Sequence, residues 1–178
     1  NTISSLSINT GYTVTAYVTN SRGNGASTSA STTTFNIPNA PTSVSASRNG
    51  DRSISVSFTG SSSNGGSSIT SYVVQVASGT PSASSSSTSS PISVSGLTYG
   101  TPYTFNVYAI NACGLGPVST ASSAVIAAGP PSPPTINTVT PVCFGLSVSF
   151  TAGSANGDPI TSFRACASGI CATGSSSP

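Results

Sequence analysis

Charge is what this chain of 178 residues lacks most: charged residues make up 3% of it, against about 25% in an ordinary globular domain. It has no Lys, Glu, His, Met or Trp, and its charged side chains are Arg22, Arg48, Arg52, Arg164, Asp51 and Asp158. Each absence excludes something. Without His, Glu or Lys, general acid–base catalysis would rest on two Asp. Each falls in an expected turn, Asn49-Gly50-Asp51 or Asn156-Gly157-Asp158, where local hydrogen bonding accounts for it. Paired-carboxylate hydrolysis needs carboxyls within about 5–9.5 Å of each other, and these two sit in separate units. A hydrolytic triad lacks its base. Calcium asks for several carboxylates, and Asn156-Gly157-Asp158 offers one. We therefore expect no enzyme, no cofactor and no metal site. A net charge of +2 without a basic cluster speaks against nucleic acid and anionic membrane surfaces. No apolar run approaches the roughly 20 residues of a membrane span, and no secretion signal is visible.

Hydroxyls take the place of charge. Ser and Thr make up roughly a third of the chain, enough to hydrate a surface or to carry O-linked sugars. No Asn-X-Ser/Thr sequon occurs, so any glycosylation is expected on Ser and Thr. The tract Ser82–Ser90 is the expected place, with Ser84, Ser85, Ser86, Ser87 and Thr88 at its centre. A disordered stalk fits that tract alone. Elsewhere Val, Ile, Tyr and Phe alternate with Ser and Thr over short runs, the period of a half-buried strand.

The chain repeats itself. Leu6, Tyr12, Asn20 and Gly23 recur 91 residues later at Leu97, Tyr103, Asn111 and Gly114. Phe58, Asn64 and Gly65 recur 92 residues later at Phe150, Asn156 and Gly157. Residues 39–129 thus form one complete unit, flanked by the last part of a unit at 1–38 and the first part of another at 130–178. Read from Pro178 into Asn1-Thr2-Ile3-Ser4-Ser5-Leu6, the ends match Pro91-Ile92-Ser93-Val94-Ser95-Gly96-Leu97. We expect the chain to be one repeat of something longer. Pro38-Asn39-Ala40-Pro41 and Gly129-Pro130-Pro131-Ser132-Pro133-Pro134 read as stiff linkers.

Seven strands are expected in the complete unit: Thr42–Ser47, Ser53–Thr59, Ile69–Ala77, Ser82–Thr88, Ile92–Ser95, Pro102–Ile110 and Val118–Ile126. Asn49-Gly50 is the expected hairpin turn between the first two. Seven short strands in about 90 residues indicate a two-sheet sandwich. With its Pro-rich entry, Ser-Val-Ser-Phe58, Asn64-Gly-Gly-Ser-Ser-Ile-Thr-Ser-Tyr72 and Leu97-Thr-Tyr-Gly-Thr-Pro-Tyr103-Thr-Phe-Asn-Val-Tyr-Ala-Ile-Asn111, the chain resembles the fibronectin type III family. The resemblance implies an all-β fold of tandem immunoglobulin-like sandwiches, with Tyr103 and Tyr12 closing a corner between sheets through their hydroxyls. It departs where the family's core tryptophan is replaced by Phe58 and Phe150. Arg22-Gly23-Asn24 occupies the loop where some members carry Arg-Gly-Asp, but Asn24 lacks the carboxylate.

Four cysteines in such a composition suggest an oxidising, extracellular or cell-surface setting. Cys166 and Cys171 bracket a plausible hairpin turn, so a local disulfide is expected there, the alternative being free buried thiols. The resemblance places Cys113 and Cys143 at opposite poles of their units, where they meet only between successive repeats. We expect a structural repeat of an extracellular filament or appendage, partnered by copies of itself. The split unit is completed either within a covalent array or by strand exchange. The alternative is a spacer or adhesion module of a secreted polysaccharide-degrading enzyme or adhesin.

Overall fold

The computed structural model describes residues 2–175, and over them the chain forms strands and turns with no helix. The expected join of Pro178 to Asn1 lies outside the described residues. In chain order the strands are β1 (Gly11–Ala16), β2 (Thr19–Asn20), β3 (Gly23–Asn24), β4 (Thr28–Thr33), β5 (Thr42–Gly50), β6 (Ser53–Thr59), β7 (Ser71–Ser78) and β8 (Ser84–Ser87). They continue as β9 (Ile92–Val94), β10 (Pro102–Asn111), β11 (Gly114–Leu115), β12 (Val125–Ile126), β13 (Thr135–Val142), β14 (Gly145–Thr151), β15 (Phe163–Ala167) and β16 (Ile170–Gly174).

The central unit is a sandwich. One sheet runs β5-β6-β9 and the other β11-β10-β7-β8, with β12 also on β10. Alternation makes this possible: Ile54, Val56 and Phe58 on β6 point one way, and Tyr103, Phe105, Val107 and Ala109 on β10 point to meet them, all buried. Val74, Val76, Ile92, Val94 and Leu97 complete the core. Phe58 stands where the resemblance expects tryptophan, and Tyr72 covers it at a ring separation of 4.9 Å.

Two local expectations are corrected. The first hairpin turns at Asp51-Arg52, because Gly50 pairs with Ser53 and Asn49 is absorbed in a bulge. Arg52 takes the positive φ that the turn requires, at 52°. The expected strand Val118–Ile126 forms regular ladder only at β12. Pro117 has no donor, and beyond it the segment bonds to β10 through both backbone and hydroxyl. Ser119 and Ser122 donate their N–H groups to Val107 O and Phe105 O at 3.0 and 2.9 Å. Their Oγ atoms accept from Val107 N and Phe105 N at 2.9 and 3.1 Å.

Over the described residues the flanks are hairpins without a second sheet. β1 pairs with β4 and β2 with β3; β13 pairs with β14 and β15 with β16. Among the described residues no strand of 1–38 pairs with any of 130–175. Leu97→Ala should therefore destabilise the central sandwich by about 2–5 kcal/mol. The repeat-equivalent Leu6→Ala should cost the isolated chain less than about 1 kcal/mol, since exposed sites tolerate truncation. Denaturant unfolding of the two variants checks the contrast.

Candidate functional site

The flanking hairpins show an apolar face that the central unit buries. Ile3 is 61% exposed where its equivalent Val94 is 1% exposed, and Leu6 is 39% exposed where Leu97 is fully buried. On the other flank, Leu146 is 55% exposed where Ile54 is fully buried. Leu146, Val148, Phe150, Phe163 and Ala165 line an open cleft of about 350 Å³. Phe150 and Phe163 lie 4.7 Å apart, reproducing the Phe58–Tyr72 pair.

Corner and turn geometry of the central unit recurs in the flanks. Ser7 N donates to Tyr12 Oη at 2.9 Å, as Thr98 N does to Tyr103 Oη at 2.9 Å. Ser5 and Asn9 adopt positive φ (63° and 50°) at the positions of Gly96 and Gly100 (76° and 71°). Phe144 (59°) does so at the position of Arg52 (52°).

Two joints connect the three pieces, each built on a glycine. At the first, Asn36 N donates to Gly65 O at 2.7 Å. Asn111 Nδ2 bridges Asn36 O and Asn64 O at 2.7 and 2.8 Å. Gly65 has φ +68°, and a Cβ there would overlap Asn36 O and Ile37 O. At the second, Gly129 N donates to Asn156 O at 3.0 Å, and Asn156 Nδ2 donates to Pro130 O at 2.7 Å. A Cβ on Gly157 would overlap Ala127 O, so here too the chain passes close over a loop glycine.

The second joint also carries charge. Arg48 pairs with Asp158 across it and donates its Nε to Ile126 O at 2.9 Å. Asp51 accepts from Tyr99 Oη at 2.7 Å, and that bond to a carboxylate raises the Tyr99 pKa above the ordinary phenol value, helped by desolvation and the Asp51 charge. Both carboxylates thus have structural partners, and no group of three His, Cys, Asp or Glu gathers among the described residues.

The remaining expected sites are placed as follows. Cys166 and Cys171 are disulfide-bonded across the β15–β16 turn. Cys113 and Cys143 are both exposed free thiols, one beside β11 and the other in the β13–β14 turn. Ser84–Ser87 form the edge strand β8, with Ser84, Ser86 and Thr88 exposed. Arg22 lies in the β2–β3 turn, its N–H bonded to Asn20 Oδ1 at 2.9 Å. Sequence reasoning missed the Arg48–Asp158 clip. Comparing the positions at which the repeats differ, rather than agree, would have pointed to it, since their counterparts are Pro141 and Gly66.

Residues 39–125 match the family model of the fibronectin type III domain. Domains A168–A170 of titin share 27% identity over 66% of this chain and 40% of that one, with a TM-score of 0.54. Domains d3–d4 of the rat CD45 extracellular region share 24% over 69% and 68% (TM-score 0.46). A module of titin from human cardiac muscle, A71, shares 27% over 51% and 92% (TM-score 0.44). The chain thus spans 40% of the length of the titin A168–A170 fragment. No curated protein sequence matches it significantly. The fold is all-β, with a fibronectin type III domain supported over 39–125.

Gly65→Ala should loosen the first joint, seen as altered interdomain residual dipolar couplings, while unfolding of the central sandwich shifts by no more than about 1 kcal/mol. Asp51→Asn should lower the Tyr99 pKa toward the ordinary value, checked by ultraviolet titration of the phenolate. In the native protein the protonated Tyr99 is the favoured form, so its contribution is present below the unfolded phenol pKa and is lost as pH rises through the folded value.

Proposed function

We propose that the chain is a non-catalytic structural repeat of an extracellular filament or cell-surface appendage. In it, β13–β16 of one copy and β1–β4 of the next complete a second sandwich. The observation that carries this reading is that each half exposes the counterpart of what the central unit buries. An uncovered apolar sheet face of this kind marks an interaction surface, and here the face that matches it lies on the other half.

A coupled replacement supports the pairing of halves. In the central unit Arg52 lies over the Tyr99 ring, 5.6 Å from its centroid. In the halves the same two positions hold Phe144 and Ile8, 110% and 59% exposed. A cation on a ring has become one apolar side chain against another, although the two now lie on separate pieces of the chain. A disulfide in a charge-poor, hydroxyl-rich chain suits an oxidising compartment. The exposed hydroxyls of Ser84, Ser86 and Thr88 suit O-glycosylation, which would also shield the β8 edge from pairing.

Two copies joined end to end, residue 178 to residue 1, test the reading. The amides of β14 in the first copy and β1 in the second should gain hydrogen-exchange protection of roughly a thousandfold over the single chain, as expected of a stable domain. Equal exchange in fused and single chains would reject it.

A further inference from the structure

The two joints differ in chemistry at equivalent positions. Cys143 and Asp51 each occupy the first residue of the turn in their hairpin, because Val142 pairs with Gly145 as Gly50 pairs with Ser53. Cys113 and Arg22 each follow an asparagine by two residues and take its Oδ1 on their own N–H, at 2.8 and 2.9 Å. Gly114 and Gly23 come next, with φ of 127° and 128°. So Cys143 corresponds to Asp51, and Cys113 to Arg22. One pair of positions holds two thiols and the other holds opposite charges.

The contacts at the joints bring each pair together. In the first joint Asn111 is bonded to Asn36 O. In the second, the β5–β6 turn is bonded to the linker by Arg52 N to Ala128 O at 3.1 Å. Pro102 pairs with Ile126 as Gly11 pairs with Thr33, so Ala128 is the counterpart of Phe35 and Phe144 N falls against Phe35 O when a neighbouring copy supplies its β13–β14 turn. Cys143, beside Phe144, then reaches the linker residue next to the one that anchors Cys113. By the same correspondence Asn20 of the next copy bonds Gly129 O and Asn156 O, which brings Arg22 to Asp51. The Arg22 guanidinium has no partner among the described residues. Asp51, with one oxygen on Tyr99, has its second available.

We propose that the joints of the assembled array alternate between two locks at one structural position, a Cys143–Cys113 disulfide and an Asp51–Arg22 ion pair beside Arg48–Asp158. The inference rests on completion of the split sandwich by a neighbouring copy. It assigns four of the six charged side chains to one joint and both free cysteines to the other. The disulfide forms by exchange with a small-molecule disulfide. The two thiols lose two protons and two electrons as their S–S bond forms, and the oxidant's S–S bond is reduced to two thiols.

The full chain, oxidised with glutathione disulfide, should give a reducible ladder on non-reducing electrophoresis and a peptide joining Cys113 to Cys143. Cys113→Ser should remove the ladder. In a Cys113→Ser, Cys143→Ser background, Asp51→Cys with Arg22→Cys should restore it, now mapped to positions 22 and 51. Light scattering of the same samples separates the two levels of the account. Assembly without these cross-links, or with only homotypic Cys113–Cys113 or Cys143–Cys143 peptides, overturns the alternating locks and leaves sandwich completion standing. A mass that stays at 17.3 kDa with no ladder overturns both.

Discussion

A β-sheet with one apolar face must find a second sheet. A sandwich satisfies this by setting two such faces about 10 Å apart, and hairpins that lack the opposing sheet leave the face in water at about 25 cal/mol per Å² of apolar area. The central unit meets the condition within itself: Ile54, Val56 and Phe58 close onto Tyr103, Phe105 and Val107. The flanks meet it only in part, since Leu146 and Ile170 on one side and Ile3 and Val18 on the other remain exposed.

The joints matter as much as the sandwiches. Each places a loop glycine where a side chain would strike the passing chain, and each ties a loop to the linker through asparagine. Close backbone contact of this kind gives a joint a defined geometry, which a chain of beads on flexible string lacks. In a chain so poor in charge, the meeting of Arg48 and Asp158 at one such joint is informative. Exposed ion pairs contribute about 1 kcal/mol or less, so their value here lies in orientation more than in stability.

The sandwich was legible in the sequence because its signals are local and redundant. Alternating Val, Ile and Phe against Ser marks the strands, and a second copy of the pattern 91 or 92 residues on marks the unit. The turn at Asp51-Arg52 was not legible, because Asn49-Gly50 is the stronger local turn signal and the register of β5 on β6 overrode it. The interrupted last strand was missed for a related reason. Val118 to Ile126 has strand-like composition, but Pro117 and the hydroxyls of Ser119 and Ser122 rewrite its bonding to β10. Of the candidate site, the corner tyrosines could be found by offset, and the cysteines by composition and spacing. The Arg48–Asp158 clip and the Phe144–Ile8 replacement were missed because they lie where the repeats differ, and three-dimensional placement shows which of those positions meet.

The central claim is that the two halves meet across copies. Isotope-filtered NOE spectroscopy on a mixture of labelled and unlabelled chain tests it most directly. The account predicts cross-peaks between the Phe150 ring of one copy and the Val14 and Ala16 methyls of another, because their counterparts Phe58, Phe105 and Val107 share one core. Cross-peaks confined to single copies, in material that has nonetheless assembled, would contradict it.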